Sequence, residues 1–384
     1  MKNLLIGIIL LFLFSCSSNP KNTIERDQQE LLIESPQINY KLNSLPKDIN
    51  VIYFSDSKIQ KAFPEEVKGL LTNYYSFSKR NNYFPNIKFI NLNTASSCSF
   101  ILNRDAYNFI FILKDSLDNK PYDLCLNRFT NRNVLVVTDL EENSDTKNFR
   151  RFLVSRKEDK YELIKFMNSY GNYVMVIDNK VTKDKYEIGD FWKKEFQKGI
   201  AEYKTFSEAE SSQNIFADLL LLEQSLKRKR KLSRIISKEL NHKSRTRRDI
   251  DALFLSVNTQ EARNLKPALD YSYSESMEVF LANDWEGNIQ FLRADKDLDG
   301  VFSIEIPFML PTPLPNELRT LQNKSRNFAI GYDAFEILLL TKGARNLTRI
   351  TYKGLTGKIT FKDNTIDRKS IIFRIRDGIY EYLN

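Results

Sequence analysis

Asp251-Ala-Leu-Phe-Leu-Ser-Val257 is a short apolar run without alternation, and Gln260–Leu269 behind it has helical spacing. Met277–Ala282 is strand-like again. A continuously apolar strand is one covered on both faces, and a strand–helix–strand succession places such strands side by side and parallel. The same rhythm extends in both directions. Toward the N-terminus lie the strand-like Val51–Phe54, a helix over Pro64–Arg80 with proline at its start, and strands at Ile87–Ile90, Phe109–Leu113 and Val134–Thr138. A second unit starts near Lys157, with Glu158–Ser169 helical, Tyr173–Ile177 a buried strand, Gly189–Glu202 helical and Asn214–Leu240 one long helix. Val301–Ile306, Phe328–Lys342, Lys358–Phe361 and Ile371–Ile375 return to strand–helix–strand. The pattern predicts an α/β protein of two lobes, each a mostly parallel sheet flanked by helices. Residues 48–156 and 282–366 are expected in lobe 1, and residues 157–281 and 367–384 in lobe 2.

The N-terminus reads differently. Lys2 is followed by Leu4–Phe14, an unbroken apolar run of 11 residues. Spanning a bilayer takes roughly 20 residues, so this run has the length of a secretory signal core instead. It ends in Leu13-Phe14-Ser15-Cys16, which resembles the bacterial lipobox. That resemblance implies cleavage after residue 15, diacylglycerol on the Cys16 thiol and, with Ser17 following, an outer-membrane address on the periplasmic face. Residues 16–47 are polar and weakly periodic and read as a flexible tether.

Composition narrows the chemistry. A net charge of +9 suits an anionic partner or surface. His242 is the one histidine, which leaves no Ser-His-Asp or Cys-His arrangement elsewhere. The sequence has no GxGxxG after a strand, no P-loop, no GxSxG and no HExxH, so a non-enzymatic role without cofactor is expected. With Cys16 lipidated, Cys98 and Cys125 remain, either as a disulfide of an oxidising compartment or as two buried thiols.

Lys227–Arg248 is the densest charge run, with 11 Lys/Arg against the single acid Glu239. It reads as a solvated helix face followed by a basic loop. Its candidate contacts are Lys227, Arg228, Lys229, Arg230, Arg247 and Arg248, facing an acidic protein patch or an anionic polymer or lipid. An exported address argues against nucleic acid. Asp295-Lys-Asp297-Leu-Asp299-Gly300 matches the start of an EF-hand loop, but position 12 is Ile306 where a bidentate Glu belongs. A turn leading into a strand is the expectation there, with no metal.

Several segments together resemble one family. They are Ser225-Leu-Lys-Arg228, Arg247–Phe254, Gln260–Pro267, Asp297–Gly300 with Ile306-Pro307-Phe308, and Ala329–Ala334. In order and spacing, over roughly residues 150–361, they are similar to the LppC family of penicillin-binding-protein activator lipoproteins. Gly331-Tyr-Asp-Ala334 and Gly354-Leu-Thr-Gly357 are shared more widely with type I periplasmic-binding-protein folds. The resemblance implies that fold and, as partner, a bifunctional class A penicillin-binding protein whose peptidoglycan synthesis is stimulated. Larger members carry a helical repeat domain in front, for which residues 16–47 leave no room. The competing expectations are a solute-binding lipoprotein of a transporter, which shares the fold, and a structural envelope lipoprotein. A small-molecule ligand is not expected.

Overall fold

The computed structural model describes residues 32–34, 39–53, 63–91, 106–113, 133–139, 150–179, 185–207, 211–241, 247–272, 277–282, 294–321, 323–343, 350–362 and 365–383. The first sheet begins with β1 (Asp48–Tyr53), β2 (Asn86–Asn91), β3 (Tyr107–Ile112), β4 (Val134–Thr138) and β5 (Arg150–Leu153). The second begins with β6 (Val174–Asn179), β7 (Glu202–Phe206), β8 (Ala252–Ser256), β9 (Glu278–Leu281) and β10 (Phe302–Glu305). The chain then returns to the first sheet with β11 (Thr351–Gly354), β12 (Gly357–Lys362) and β13 (Thr365–Lys369), and ends in the second with β14 (Ile371–Arg376) and β15 (Ile379–Leu383).

The eight-stranded sheet runs β11-β12-β13-β5-β4-β3-β1-β2 and the seven-stranded sheet β15-β14-β10-β9-β8-β6-β7. Each contains the same doubly wound order, second strand, first, third, fourth, fifth, paired in parallel. Antiparallel strands close one edge of each sheet. Every residue of β3, β4 and β8 is buried, as their predominantly apolar sequences require. The expectation of two mostly parallel sheets flanked by helices is met.

Described helices are α1 (Glu65–Asn81), α2 (Arg156–Met167), α3 (Lys185–Phe196), α4 (Ser212–Leu219), α5 (Leu222–Ile236), α6 (Thr259–Ser272) and α7 (Arg326–Gly343). α1 and α7 touch backbone to backbone. A Cβ on Gly69 would lie 1.9 Å from the Phe328 carbonyl oxygen, and one on Gly331 would lie 1.7 Å from that of Glu66. Only glycine permits this approach. No helix among the described residues is long and apolar enough to cross a membrane.

Four expectations need correction. The helix over Gly189–Glu202 stops at Phe196, where Gln197 turns left-handed (φ 56°), and Glu202–Phe206 is the edge strand β7. The long helix over Asn214–Leu240 is two helices, broken where Leu221 adopts φ 58°. The lobe bounds shift at two places: β10, assigned to lobe 1, hydrogen-bonds into the second sheet between β9 and β14, with Phe302 stacked on Phe280 at 5.1 Å, and Asp367–Lys369, assigned to lobe 2, lie on β13 of the first sheet. The tether extends less far than residue 47. Leu32, Ile33 and Leu45 are buried, and the Tyr40 hydroxyl donates to Glu336 Oε1 at 2.5 Å. These apolar and aromatic side chains are too few to show a period, yet each enters the core.

Candidate functional site

The two sheets are joined by three crossings. β5 leads through Val154 and Ser155 into α2, β10 leads through residues 306–325 into α7, and β13 leads through Ser370 alone into β14. At the first crossing Ser155 caps α2, accepting from the Lys157 amide at 3.2 Å, and places Asp159 in the first turn.

Asp159 is the centre of a buried network that ties these crossings together. Its Oδ1 accepts from Arg368 Nη2 on β13 and from the Ser370 hydroxyl, each at 2.7 Å. Its Oδ2 accepts from Arg326 Nη2, at the start of α7, at 2.9 Å. Arg326 Nε also donates to Glu305 Oε1, at the end of β10, at 2.8 Å. Arg368 Nη1 donates to the Thr356 carbonyl at 3.1 Å. Burial alone would raise the Asp159 carboxyl, but Arg368, Arg326 and the Ser370 hydroxyl hold it below its ordinary value. Arg326 is held above its own ordinary range because Glu305 and Asp159 outweigh its desolvation.

Beside this network a cavity of about 190 Å³ opens at the carboxyl ends of the first sheet's strands, where open α/β sheets place ligands. Leu113, Val154, Arg156, Lys157, Asn327 and Arg368 contribute to its wall. The wall is polar and carries positive charge. Arg368 Nε finds no acceptor among the described residues. A second cavity, about 240 Å³, lies within the first lobe against Tyr40, Asn73, Tyr332, Asp333 and Glu336. Desolvation raises the Glu336 carboxyl, opposed by hydrogen bonds from Tyr40 and Asn73. It raises Asp333 to about 7, although Thr356 and the Leu355 amide donate to it.

The residues singled out from sequence fall elsewhere. Cys16, Cys98 and Cys125 lie outside the described residues. Lys227, Arg228, Lys229 and Arg230 lie on α5, and Lys227 pairs with Glu223 at 3.6 Å. Arg247 does not share that surface. It is half-buried and bound to Asp249 at 2.6 Å and Glu202 at 3.2 Å, so it clips the loop to β7. In the EF-hand-like segment, Asp295 is buried between Arg263 Nη2 at 2.7 Å and the Tyr380 hydroxyl at 2.5 Å. Among the described residues no cluster of His, Cys, Asp or Glu could hold a metal.

Nothing in the sequence marks Asp159, Arg326 and Arg368 as partners, and Glu305 reads there only as a late acid of the EF-hand-like segment. Asp159 sits in the charged run Arg156-Lys-Glu-Asp-Lys160, which has the composition of any solvated helix turn.

Comparison with known proteins matches these features to a family. The model described as "LppC putative lipoprotein" matches residues 190–378. A curated relative, "Penicillin-binding protein activator LpoA" of Photobacterium profundum, is 23% identical over 192 residues, covering 47% of this chain. That match spans 31% of the relative, about a third of its length. Among solved structures, Haemophilus influenzae LpoA superposes with a TM-score of 0.55 at 12% identity, covering 91% of this chain and 59% of that one. A "putative branched-chain amino acid ABC transporter" of Rhodospirillum rubrum gives 0.55 at 11% identity, covering 88% and 100%. At such identities the two structures show the fold alone, that of the periplasmic binding proteins. The family that residues 190–378 match is thus LppC.

Proposed function

We propose that this protein is an envelope lipoprotein, held by lipid on Cys16 at the periplasmic face of the outer membrane, that binds and stimulates a bifunctional class A penicillin-binding protein. The observation that carries the reading is the LppC match. Its residues 190–378 run through both sheets and include Arg326 and Arg368 of the crossings. The network around Asp159 suits such a role, because a regulator acting through protein contacts benefits from a fixed shape. The partner in this reading is the synthase itself, and the protein adds no catalytic group. Cys98 and Cys125 would pair in that compartment, a pairing that intact-mass measurement before and after reduction reads directly.

The test is recovery of a penicillin-binding protein from solubilised envelopes on the immobilised protein, followed by its glycan polymerisation rate with and without the protein. Recovery with a raised rate supports the reading. Repeated failure to recover any such synthase, with no change in polymerisation, overturns it.

A second reading, solute binding for a transporter, is favoured by the polar cavity at the crossings. Its wall contains the buried Arg368, whose Nε lacks an acceptor among the described residues, a group suited to a small carboxylate. Thermal stabilisation by one member of an amino-acid panel, lost in Arg156→Ala, would favour it over the first reading.

A further inference from the structure

α5 is attached at one end and uncovered at the other. Its first turn docks on the core, with Leu222 packed against the apolar cluster that α4 completes and Ser225 buried. Beyond that turn the helix leaves the fold's surface. Leu232 is 49% exposed, Ile235 69% and Ile236 52%, and Leu226 is exposed as well. Exposed apolar side chains scattered singly are ordinary, but four in a single helix call for a covering surface.

Their arrangement is amphipathic. At about 100° per residue, from 3.6 residues per turn, Leu222, Leu226, Leu232, Ile235 and Ile236 fall in one half of the helix. Arg230, Lys231, Arg234 and Lys227 fall in the other. Arg228 and Lys229 sit within the apolar half, where their long stems can lie along it while the charged ends reach past it. A peptidoglycan strand or other aqueous polymer would satisfy the charge but leave Ile235 and Ile236 in water. A bilayer interface satisfies both halves, with apolar side chains among acyl chains and cations among anionic headgroups.

The position of α5 agrees with this. Leu32, where the compact unit begins, is buried in the same cluster that receives Leu222. The stretch from Cys16 to Leu32 reaches at most ~3.3–3.6 Å per residue, so a lipid on Cys16 keeps the protein close to a membrane surface.

We propose that α5 lies in the interface of a membrane containing anionic lipid, apolar half inward, as a second attachment point beside the lipid on Cys16. This rests on the envelope address in the reading above but not on the identity of the protein partner. One lipid-linked residue plus a basic amphipathic helix is the two-signal arrangement that gives stable attachment.

The test uses the chain from residue 17 onward, which keeps every described residue and removes the signal core and the lipid site. It is sedimented with vesicles of phosphatidylglycerol and phosphatidylethanolamine, and separately with phosphatidylcholine vesicles. Expected are sedimentation with the first only, weakening at raised salt, and a fall of about tenfold or more when Leu232, Ile235 and Ile236 are replaced together by Ser. Unchanged urea unfolding of that variant shows that the loss is not one of folding, since these side chains are exposed. Two results overturn the proposal. One is no binding to the anionic vesicles. The other is binding that the Ser variant retains in full, which would reduce the contact to charge alone. Loss of synthase capture by the Ser variant, without vesicle binding by the parent chain, would assign α5 to a protein groove instead and equally overturn it. Stimulation of the synthase is measured in detergent, so a failure here is distinguishable from a failure of the activator reading.

Discussion

Asp159 Oδ1 accepts a hydrogen bond from Arg368 Nη2 at 2.7 Å, and this contact joins the first turn of α2, in the second lobe, to β13, in the first. Both groups are buried, and Asp159 also holds Arg326. Removing one partner of a buried ion pair leaves the other's charge without compensation, which typically costs about 3–5 kcal/mol. Asp159→Ala is therefore expected to lower the unfolding free energy by about 3 kcal/mol or more, read from urea denaturation. An unchanged midpoint would show that the network does not hold the lobes.

The same carboxyl gives an acid limb to stability. Its folded value lies below its ordinary 3.8, because Arg368, Arg326 and Ser370 outweigh the effect of burial. A group depressed in the folded state stabilises fully above its unfolded value, and that stabilisation is lost as pH falls through the folded one. Stability attributable to Asp159 is thus expected at pH 4 and above and should disappear below. Asp159→Asn should flatten this limb in denaturation curves recorded between pH 5 and pH 2, numbers that are about the span set by such shifts.

Asp333 acts in the opposite sense. Burial lifts it from 3.8 to about 7, against the pull of the Thr356 hydroxyl and the amides of Thr356 and Leu355. The unfolded chain gives up this proton near 3.8 and the folded chain near 7, so the contribution of Asp333 is fully present below 3.8 and is lost as pH rises to about 7. Asp333→Asn should remove that slope while lowering stability throughout, because an amide cannot accept from all three donors. A slope unchanged in the variant would assign it to another group.

Gly331→Ala tests the contact between α1 and α7. The added methyl would lie 1.7 Å from the Glu66 carbonyl oxygen, a backbone atom that cannot move aside alone. Overpacking costs typically about 1–3 kcal/mol and sometimes more, so a loss of about 3 kcal/mol is expected in chemical denaturation.

Lys324 should react as a free amine near neutral pH. Burial lowers it to about 8, with its ammonium against the Leu310 carbonyl at 2.9 Å and 5.7 Å from the Phe308 ring centre. At pH 8 much of it is unprotonated and nucleophilic. Peptide mapping after brief acetylation at pH 8 should find Lys324 modified faster in the folded than in the urea-unfolded chain. Equal rates would show that it is not desolvated.

The sequence made the interior strands legible because they are apolar on both faces, as β3, β4 and β8 show. β7 escaped because Glu202-Tyr-Lys-Thr-Phe206 is an edge strand with one buried residue, and nothing in its composition separates it from the end of a helix. β5, Arg150-Arg-Phe-Leu153, is short and carries two arginines. The site was illegible for a different reason. Asp159 and Arg368 are 209 residues apart, and Asp159 and Arg326 are 167 apart. Each alone has the look of a surface charge, and only the fold makes them partners. The basic run was visible from composition, but its division into an exposed helix and an ion-paired clip at Arg247 depends on where Glu202 and Asp249 lie.

The late crossing at Ser370 bears on how the chain is made. Both sheets receive their closing strands from residues 350–383, β11 to β13 on one side and β14 and β15 on the other. Neither sheet can be completed before residues 350–383 are made, and such long-range pairing forms slowly. A fold whose two sheets stay open this long suits the export signal proposed for residues 1–15, and it leaves both unfinished sheets dependent on protection until those strands arrive.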